Sequence, residues 1–215
     1  MNKDLSHYRK SYEKGELSEN TVSDNPLELF QKWFYEVEEF FSIDEANAMT
    51  LSTISSDGFP RSRIVLLKRF THEGFVFFTN YLSKKGRSME RDPNVCLSFF
   101  WHAAERQVII KGKAEKLAEN LSDGYFETRP RGSQLSAHAS DQSEVVDSRE
   151  VLENRMKALE DKFEGKDIPR PPNWGGILVR PLEMEFWQGR ANRLHDRLRY
   201  TLDEDYNWIL ERLAP

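Results

Sequence analysis

The sequence predicts a mainly β fold, in which antiparallel strands form a closed barrel and helices pack outside it. Short apolar stretches with strand-like alternation recur along the chain between turn residues, whereas few stretches have the longer helical period. The strands do not alternate with helices in the βαβ manner that a Rossmann fold requires. The chain has 215 residues, of which 38% are hydrophobic and 12% aromatic, and it can bury a substantial core.

The N-terminal part of the chain is predicted to be an arm followed by a helix. Residues 1–25 are polar, and we expect them to be ordered only where another part of the protein tethers them. Asp24 or Asn25 would cap the helix, and Pro26 suits its first turn. Apolar residues at helical spacing predict the helix itself: Leu27, Phe30, Trp33, Phe34, Val37 and Phe41.

Residues 26–215 are predicted to form a single domain, since no internal repeat or boundary interrupts them. Strands and turns alternate at first, with one short basic helix at 83–93. The predicted strands of this part are 48–55, 61–70, 75–80, 94–101 and 106–117. The predicted elements after them are helices around 119–130, 132–140 and 148–163, a proline-stiffened connector at 168–174, a strand at 175–187 and a final hairpin.

The charge balance and the single cysteine limit the function classes. A net charge of −5 argues against broad binding of nucleic acid. Cys96 cannot form an internal disulfide, and its apolar neighbours predict a buried small side chain rather than a nucleophile. The first residues lack the apolar core of a secretory signal, and no run reaches transmembrane length. We therefore expect a cytoplasmic protein that binds neither nucleic acid nor a membrane.

Positive charge is concentrated in FWQGRANRLHDR, which spans Phe186 to Arg197. In a strand, Arg193, His195 and Arg197 would share one face, whereas in a helix His195 would point away from the two arginines. The alternation continues through RLRYTL, which favours the strand. Such a face suits an anionic or planar electron-poor ligand, and it equally suits plain solvation of a cationic strand.

Three further clusters could bind phosphate. Lys84, Lys85 and Arg87 begin a helix, where main-chain N–H groups favour anions, although an ordinary solvated helix start has the same composition. The second cluster surrounds Pro130 and consists of Tyr125, Arg129, Arg131, Ser133 and Gln134, which could also be a simple loop. The third pairs Arg63 with Lys68, which could also be the charged ends of a core strand.

Motifs for other chemistries are missing from the sequence. The five histidines show no metal-ligand spacing, and there is no GxSxG, P-loop or GxGxxG. Several candidate phosphate sites on a β-rich frame without a nucleophile or metal favour a bound phosphorylated cofactor that supplies the chemistry.

Seven motifs occur in the order typical of one family. They are RIVLLK, FFTN followed by SKK, ERQV, RPRGSQ, SDQS, PPNWGG and EFWQGRANRLHDR. With these motifs the chain resembles the pyridoxamine 5′-phosphate oxidase family, from HYRKSY near its start to ERLAP at its end. RLHDR with the preceding EFWQ is the most specific part of this resemblance.

The resemblance implies an FMN enzyme with a Greek-key-like split β-barrel. It would oxidise pyridoxamine 5′-phosphate and pyridoxine 5′-phosphate to pyridoxal 5′-phosphate, reduce dioxygen to hydrogen peroxide, and serve vitamin B6 biosynthesis and salvage. It would work as a homodimer with FMN at the subunit interface and without a metal.

The resemblance also implies a set of site residues. Those expected to bind FMN are Arg63, Ile64, Val65, Leu66, Leu67, Lys68, Phe78, Thr79, Lys84, Lys85, Gln107, Gln142, Ser143, Trp187 and Arg197. Those expected to bind substrate are Arg9, Tyr12, Lys68, Tyr125, Arg129, Ser133, Arg193, Leu194 and His195. Arg193 and His195 are expected to be catalytic and to lie against the substrate ring, and the arm of residues 1–25 would cover the site.

This sequence departs from the family pattern at a few positions. Lys84 stands where arginine is common, which keeps the charge but loses the bidentate fork. Ser136 and His138 lie in a stretch that usually reads close to IGAW, and Arg190 adds a charge before RLHDR.

Two other functions remain compatible with parts of the pattern. A split-barrel flavin or F420-dependent reductase would share the barrel, but it has no need for RPRGSQ together with RLHDR. A module that only carries FMN or pyridoxal phosphate would need the same phosphate ligands as the enzyme, and turnover separates the two.

Overall fold

The computed structural model describes residues 3–8, 10–41 and 43–215. The chain divides into two compact units, each made of separate segments. The first unit consists of Met1–Thr50, Cys96–Lys111 and Pro181–Pro215. The second unit consists of Leu51–Val95 and Gly112–Arg180.

Nine strands and five α-helices occur in the part of the chain that the structure describes. The strands are β1 (Ala48–Ile54), β2 (Pro60–Leu66), β3 (Arg69–Thr71), β4 (Gly74–Asn80), β5 (Asn94–Trp101), β6 (Arg106–Lys116), β7 (Trp174–Gln188), β8 (Asp196–Leu202) and β9 (Trp208–Arg212). The helices are α1 (Pro26–Phe40), α2 (Lys84–Arg91), α3 (Glu119–Thr128), α4 (Arg131–Ala139) and α5 (Arg149–Lys162). These match the predicted strands and helices in type and order, except for two strands described below.

The strands join one sheet in the order β2-β1-β5-β6-β7-β4-β3, with β8 paired to β7 and β9 paired to β8. The pairs β3–β4, β4–β7, β7–β8 and β8–β9 are antiparallel. The prediction of a mainly β, antiparallel protein with peripheral helices is therefore confirmed. In the described residues, no helix is both long and apolar enough to cross a membrane.

Helix α1 forms as predicted and packs its apolar face into the first unit. The Asn25 side chain accepts a hydrogen bond from the Leu27 amide at 3.0 Å and caps the helix, and Pro26 occupies its first turn. Trp33 is buried edge-to-face against Phe186, with ring centroids 5.3 Å apart. The same face therefore anchors the strand that carries Phe186.

The helices of the second unit enclose a separate apolar cluster. Its buried members are Phe126, Leu135, Phe163, Ile168 and Trp174. Strand β4 is almost entirely buried, and α2 follows it along the chain. Ser83 is the N-cap of α2, and its hydroxyl accepts a hydrogen bond from the Gly86 amide at 3.3 Å. This cluster fixes α3 and α4, and with them the segment between the two helices.

The N-terminal arm has the tether that its order requires. Leu17 is buried, and its carbonyl accepts a hydrogen bond from Arg212 at 2.9 Å. Arg212 also binds Glu19 at 2.6 Å, where a short 3-10 helix runs from Glu19 to Thr21. These contacts lie within the first unit and hold the second half of the arm.

Two strand predictions were wrong in detail. Strand β8 begins only at Asp196, because Asn192 and Arg193 have φ of 57° and 61°, a left-handed conformation that no extended strand contains. Arg193 and His195 therefore lie in a turn and not on a strand face with Arg197. The predicted strand 61–70 breaks at Leu67 and Lys68, so that β2 and β3 are separate.

Two burial predictions were also wrong. Strand β2 is largely exposed, with Ile64 at 65%, so the interpretation of this segment as a core strand fails. Cys96 is only half-buried, although burial does raise the pKa of its thiol.

A matched pair of glycine substitutions tests the packing around α2. A Cβ at Gly86 would overlap the main-chain carbonyl of Tyr81, whereas a Cβ at Gly124 in α3 meets no described atom within 4 Å. We expect Gly86→Ala to lower the free energy of unfolding by about 2 kcal/mol or more, because the clash is with backbone. Gly124→Ala should raise it by up to about 1 kcal/mol, because alanine favours a helix. Urea denaturation measures both, and equal effects would contradict the packing described.

Candidate functional site

The predicted site residues fall into two groups, one in each unit. In the second unit, a cavity of about 320 Å³ opens between β2, β4, α3 and the start of β7, and we call it the phosphate pocket. Its lining residues are Ile64, Val65, Leu66, Lys68, Phe78, Thr79, Lys85, Tyr125, Arg129, Gln142 and Trp174. Ten of these eleven were predicted as FMN or substrate ligands, and Trp174 was missed.

Three aromatic rings form a stack along the phosphate pocket. Phe78 and Tyr125 lie 3.8 Å apart with nearly parallel rings, and Trp174 stacks on Phe78 at 5.5 Å. The Arg129 guanidinium lies over the Trp174 ring at 4.4 Å. The motif PPNWGG was the available signal for Trp174, but the sequence alone did not show which of its residues faces a pocket.

Arg129 has hydrogen-bonding capacity to spare. Among the described residues, nothing accepts a hydrogen bond from its buried Nη1 atom. Burial lowers the pKa of Arg129. Burial also raises the pKa of Tyr125, and the positive charge of Arg129 partly offsets this rise. A buried donor without an acceptor is costly, so this group fits an anion that would satisfy it.

Lys85 is another cation of the phosphate pocket, which Lys68 and Arg129 also line. Its ammonium donates to the Gln142 side-chain oxygen at 2.6 Å and to the Ser83 hydroxyl at 3.3 Å. Burial, and then the charge of Arg63, lower the pKa of Lys85 to about 8. In the described part of the chain, no carboxylate forms an ion pair with Lys85 or Arg63. The pocket therefore holds positive charge that an anionic group would neutralise.

Arg63 is held beside this charge by the strand next to its own. Its Nη1 donates to the Leu51 carbonyl at 3.0 Å and to the Thr53 hydroxyl at 2.9 Å, and burial lowers its pKa. Thr79 donates to Gln142 at 3.3 Å, so Gln142 joins Thr79 and Lys85. These contacts order the polar side of the pocket.

Several predicted ligands of the second unit do not line this cavity. Leu67 is 4% exposed and belongs to the core, whereas Lys84 and Ser143 are exposed. Ser133 lies in the first turn of α4, where its amide donates to Pro130 at 2.8 Å. Gln107 belongs to β6 in the first unit, and its side chain is half-buried.

A second cavity, of about 780 Å³, lies in the first unit between the arm and the segment before β8. We call it the arm pocket. Its lining residues are Tyr8, Lys10, Ser11, Tyr12, Arg190, Asn192, Arg193 and His195. Of the substrate ligands predicted here, Tyr12, Arg193 and His195 are brought together. Arg9 lies outside the described residues, and Leu194 is 72% exposed.

Three rings organise the arm pocket. His195 lies 4.7 Å from Trp187, and Tyr12 contacts both rings edge-on at 5.8 and 5.7 Å. The Nδ1 atom of His195 accepts a hydrogen bond from the Arg190 amide at 3.0 Å. The neutral imidazole therefore carries its proton on Nε2, which remains available as a donor.

Arg197 has a different environment from Arg193. It lies in β8 opposite Trp187, where its Nε donates to Glu185 at 2.8 Å and its Nη1 to the Ala214 carbonyl at 2.8 Å. The hydrogen bond to Glu185 raises the pKa of Arg197. Arg197 is thus already neutralised, whereas the exposed Arg193 forms no ion pair within the described residues.

Two family models match the chain. One, described as pyridoxamine 5′-phosphate oxidase, matches residues 35–163. The other, described as the C-terminal dimerisation region of pyridoxine 5′-phosphate oxidase, matches residues 174–215.

Curated relatives resemble the chain over its length. A pyridoxine/pyridoxamine 5′-phosphate oxidase of Flavobacterium psychrophilum is 63% identical over 213 residues, which are 99% of this chain and 100% of the relative. A protein of the same description from Christiangramia forsetii is 52% identical over 215 residues, which are 100% of both chains.

Solved structures agree on the fold. PhzG of Burkholderia lata, in complex with tetrahydrophenazine-1-carboxylic acid, has a TM-score of 0.85 at 30% identity, over 91% of this chain and 95% of its own. A pyridoxamine 5′-phosphate oxidase-related, FMN-binding protein of Nostoc punctiforme has a TM-score of 0.71 at 14% identity, over 90% and 100%. The fold is therefore the split β-barrel that these neighbours share.

With two family models over most of its length and relatives 52% and 63% identical to it, the chain belongs to the pyridoxamine 5′-phosphate oxidase family.

Proposed function

We propose that the protein catalyses the FMN-dependent oxidation of pyridoxamine 5′-phosphate and pyridoxine 5′-phosphate to pyridoxal 5′-phosphate, with dioxygen reduced to hydrogen peroxide. The observation that carries this proposal is the phosphate pocket. There Lys85 and Arg129 lie next to an aromatic stack, are partly buried, and form no ion pair with a carboxylate of the described residues. The relatives that are 52–63% identical carry the name of this activity. The reaction belongs to the biosynthesis and salvage of vitamin B6.

The residues present fit FMN and a phosphorylated substrate. Lys85, Gln142 and Thr79 form one connected polar group with Arg63 beside it, and we assign the cofactor phosphate to this group. We assign the substrate phosphate to Arg129, Tyr125, Lys68 and Ser133, since the unsatisfied N–H of Arg129 needs an acceptor. When bound, FMN would supply a hydride acceptor for the substrate carbon that bears the amine or alcohol, and a route for the electrons to dioxygen.

The arm pocket supplies residues that orient the substrate ring. Arg193 and the Nε2–H of His195 are the groups we assign to the pyridine ring, because the hydrogen bond from Arg190 fixes the imidazole. Tyr12 packs on His195 and Trp187 and would exclude water from that side. Holding two reactants in reacting geometry supplies a large part of the rate gain. With the amine substrate, the oxidised product hydrolyses to the aldehyde and ammonia.

We propose that the protein works as a homodimer with FMN at the subunit interface. The family model over residues 174–215 describes a dimerisation region. Exposed apolar side chains support a covered surface: Phe59 is 72% and Ile64 is 65% exposed, and Ile64 lines the phosphate pocket. We also assign Gln107, Trp187 and Arg197 to FMN binding.

Turnover under air tests the proposed function. The purified protein should be yellow, release FMN on denaturation, and produce hydrogen peroxide continuously from pyridoxamine 5′-phosphate. A protein that only carries the cofactor would bind FMN and show no peroxide beyond a single equivalent. That result would refute the enzymatic assignment and leave the binding assignment standing.

Alanine variants of the three basic residues near the C-terminus should have different defects in catalysis and FMN retention. We expect Arg193→Ala to retain FMN and lose roughly a hundredfold in kcat/KM, because one wall of the substrate site is gone. His195→Ala should show a milder form of this defect. Arg197→Ala should weaken FMN retention, with activity partly restored by excess FMN. Flavin dissociation and anaerobic flavin reduction measure these effects, and an unchanged reduction rate and affinity in Arg193→Ala would exclude its assigned role.

The pH dependence of FMN binding tests the role of Lys85. Its pKa of about 8 means that the apoprotein loses this charge as the pH rises through 8. A bound phosphate dianion favours the protonated form, so affinity should fall above pH 8, by up to about tenfold per pH unit. Lys85→Arg stays charged and should show a flatter profile between pH 7 and 9. Fluorescence titration of the apoprotein with FMN gives both profiles, and parallel profiles would contradict the assignment.

A further inference from the structure

Glu105 is a buried acid in the first unit for which the sequence suggested no role. Its side chain is buried, with 2% of the residue exposed. Glu105 follows the 3-10 helix His102–Ala104, and the Glu105 amide donates a hydrogen bond to the His102 carbonyl at 3.1 Å. Its φ is 54°, a left-handed conformation that few residues other than glycine adopt. A glutamate held in this conformation and out of solvent indicates a specific use of its carboxylate.

The carboxylate of Glu105 binds the N-terminal arm. Its Oε2 atom accepts hydrogen bonds from the amides of Glu13 at 2.8 Å and Lys14 at 3.1 Å. Its Oε1 atom lies 3.1 Å from the ammonium of Lys10. Burial alone would raise the pKa of Glu105, but these hydrogen bonds outweigh it and hold the pKa below its usual value. The group is therefore ionised at neutral pH.

The main chain of Glu105 binds the other wall of the arm pocket. Its carbonyl accepts hydrogen bonds from the Gly189 amide at 2.8 Å and from the Gln188 side chain at 3.2 Å. Gly189 begins the segment that leads through Arg193 to His195. One residue thus holds both the arm and the start of the segment with the assigned ring-binding groups.

The arm also packs directly on this second wall. A Cβ at Gly189 would lie 2.7 Å from the Tyr12 ring, and a Cβ at Gly15 would lie 2.9 Å from the Gln188 side-chain oxygen. Only glycine permits such close approach at either position. The arm therefore packs closely against this wall where Glu105 holds it.

Other contacts of the arm lie beside Glu105 or further along the chain. The Lys14 ammonium donates to the Ala103 carbonyl at 2.7 Å, in the 3-10 helix that precedes Glu105. Arg190 binds the Gly15 carbonyl at 3.2 Å and Glu16 at 3.3 Å, and Arg212 binds Leu17 and Glu19. The arm residues that line the arm pocket precede Glu13. Next to them, the arm is held by Glu105, which binds two arm amides and Lys10, and by the hydrogen bond from Lys14 to Ala103. Loss of Glu105 would therefore loosen the pocket wall while the second half of the arm stays bound.

We propose that Glu105 is a positioning residue that latches residues 10–14 over the arm pocket and so sets the affinity for substrate. The proposal rests on the proposed function, in which Tyr12, Arg193 and His195 face the substrate. Glu105 itself does not line the pocket and acts through the arm.

The test compares the FMN-loaded wild type with Glu105→Gln and a matched control, Glu45→Gln. Glu45 is also a left-handed glutamate in the first unit, with φ of 52°, but it is exposed. In Glu105→Gln the amide oxygen can still accept from the arm amides, while the charge that binds Lys10 is lost. The variant therefore weakens the latch without emptying a buried space.

Two readouts are measured on each holoenzyme. The first is the rate of tryptic cleavage after Lys14, which reports release of the arm without any turnover. The second is the separation of KM from kcat with pyridoxamine 5′-phosphate. We expect Glu105→Gln to be cleaved about tenfold faster than the wild type and to have a KM about tenfold higher. A tenfold change corresponds to the loss of roughly one charged hydrogen bond. Its kcat and FMN content should stay within about twofold, and Glu45→Gln should match the wild type.

The outcomes distinguish this proposal from the proposed function. If the wild type makes no peroxide, the proposed function fails, and the cleavage rates still decide whether Glu105 holds the arm. If Glu105→Gln is cleaved after Lys14 at the wild-type rate, the proposal that Glu105 holds the arm is wrong. Faster cleavage with an unchanged KM would overturn the link to substrate affinity. A loss of FMN, or of kcat alone, would show that Glu105 acts elsewhere and would also overturn the proposal.

Discussion

Partly buried positive charge without a neutralising acid is the constraint on which the phosphate pocket depends. Among the described residues, Lys85 and Arg129 form no ion pair, yet both are partly removed from water. Removing these charges from water costs free energy. This cost is reduced at Lys85 by the Gln142 and Ser83 oxygens, and at Arg129 by the Trp174 and Phe126 rings. These partners are neutral, so they leave the charge free for an anion. The caps, the aromatic stack and the apolar cluster of the second unit keep these partners in place.

The first unit differs from the second, because several of its charges near the arm form ion pairs. Asp196 binds Arg212 and the Leu17 amide, and Glu185 binds Arg197. Arg193, which forms no ion pair in the described chain, stands out against this background. A charge left unpaired among paired ones is available to a ligand, and this contrast separates Arg193 from Arg197 more clearly than their spacing in the sequence does.

Periodicity predicted the strands and helices well, because burial of one face imposes a regular repeat on the side chains. It failed at Asn192–His195, where two left-handed residues turn the chain, and at Leu67–Lys68, where one predicted strand divides. Motif order predicted ten of the eleven residues that line the phosphate pocket. Glu105 could not be found in this way, since its role depends on contacts with residues more than ninety positions away along the chain. Such contacts leave no local pattern.

His138, a departure from the family pattern in α4, has packing and polar partners of its own. His138, where the family usually has tryptophan, places its ring 5.6 Å from Phe163 and 6.5 Å from Phe126. Its Nε2 lies 2.7 Å from the Pro169 carbonyl, so the polar edge of the smaller ring has a partner. Leu135 on the same helix remains buried in the cluster. Because Arg129 and Ser133 depend on the start of α4 for their position, a helix that keeps its anchor also keeps the assigned phosphate ligands. His138 therefore anchors α4 through two ring contacts and one polar contact.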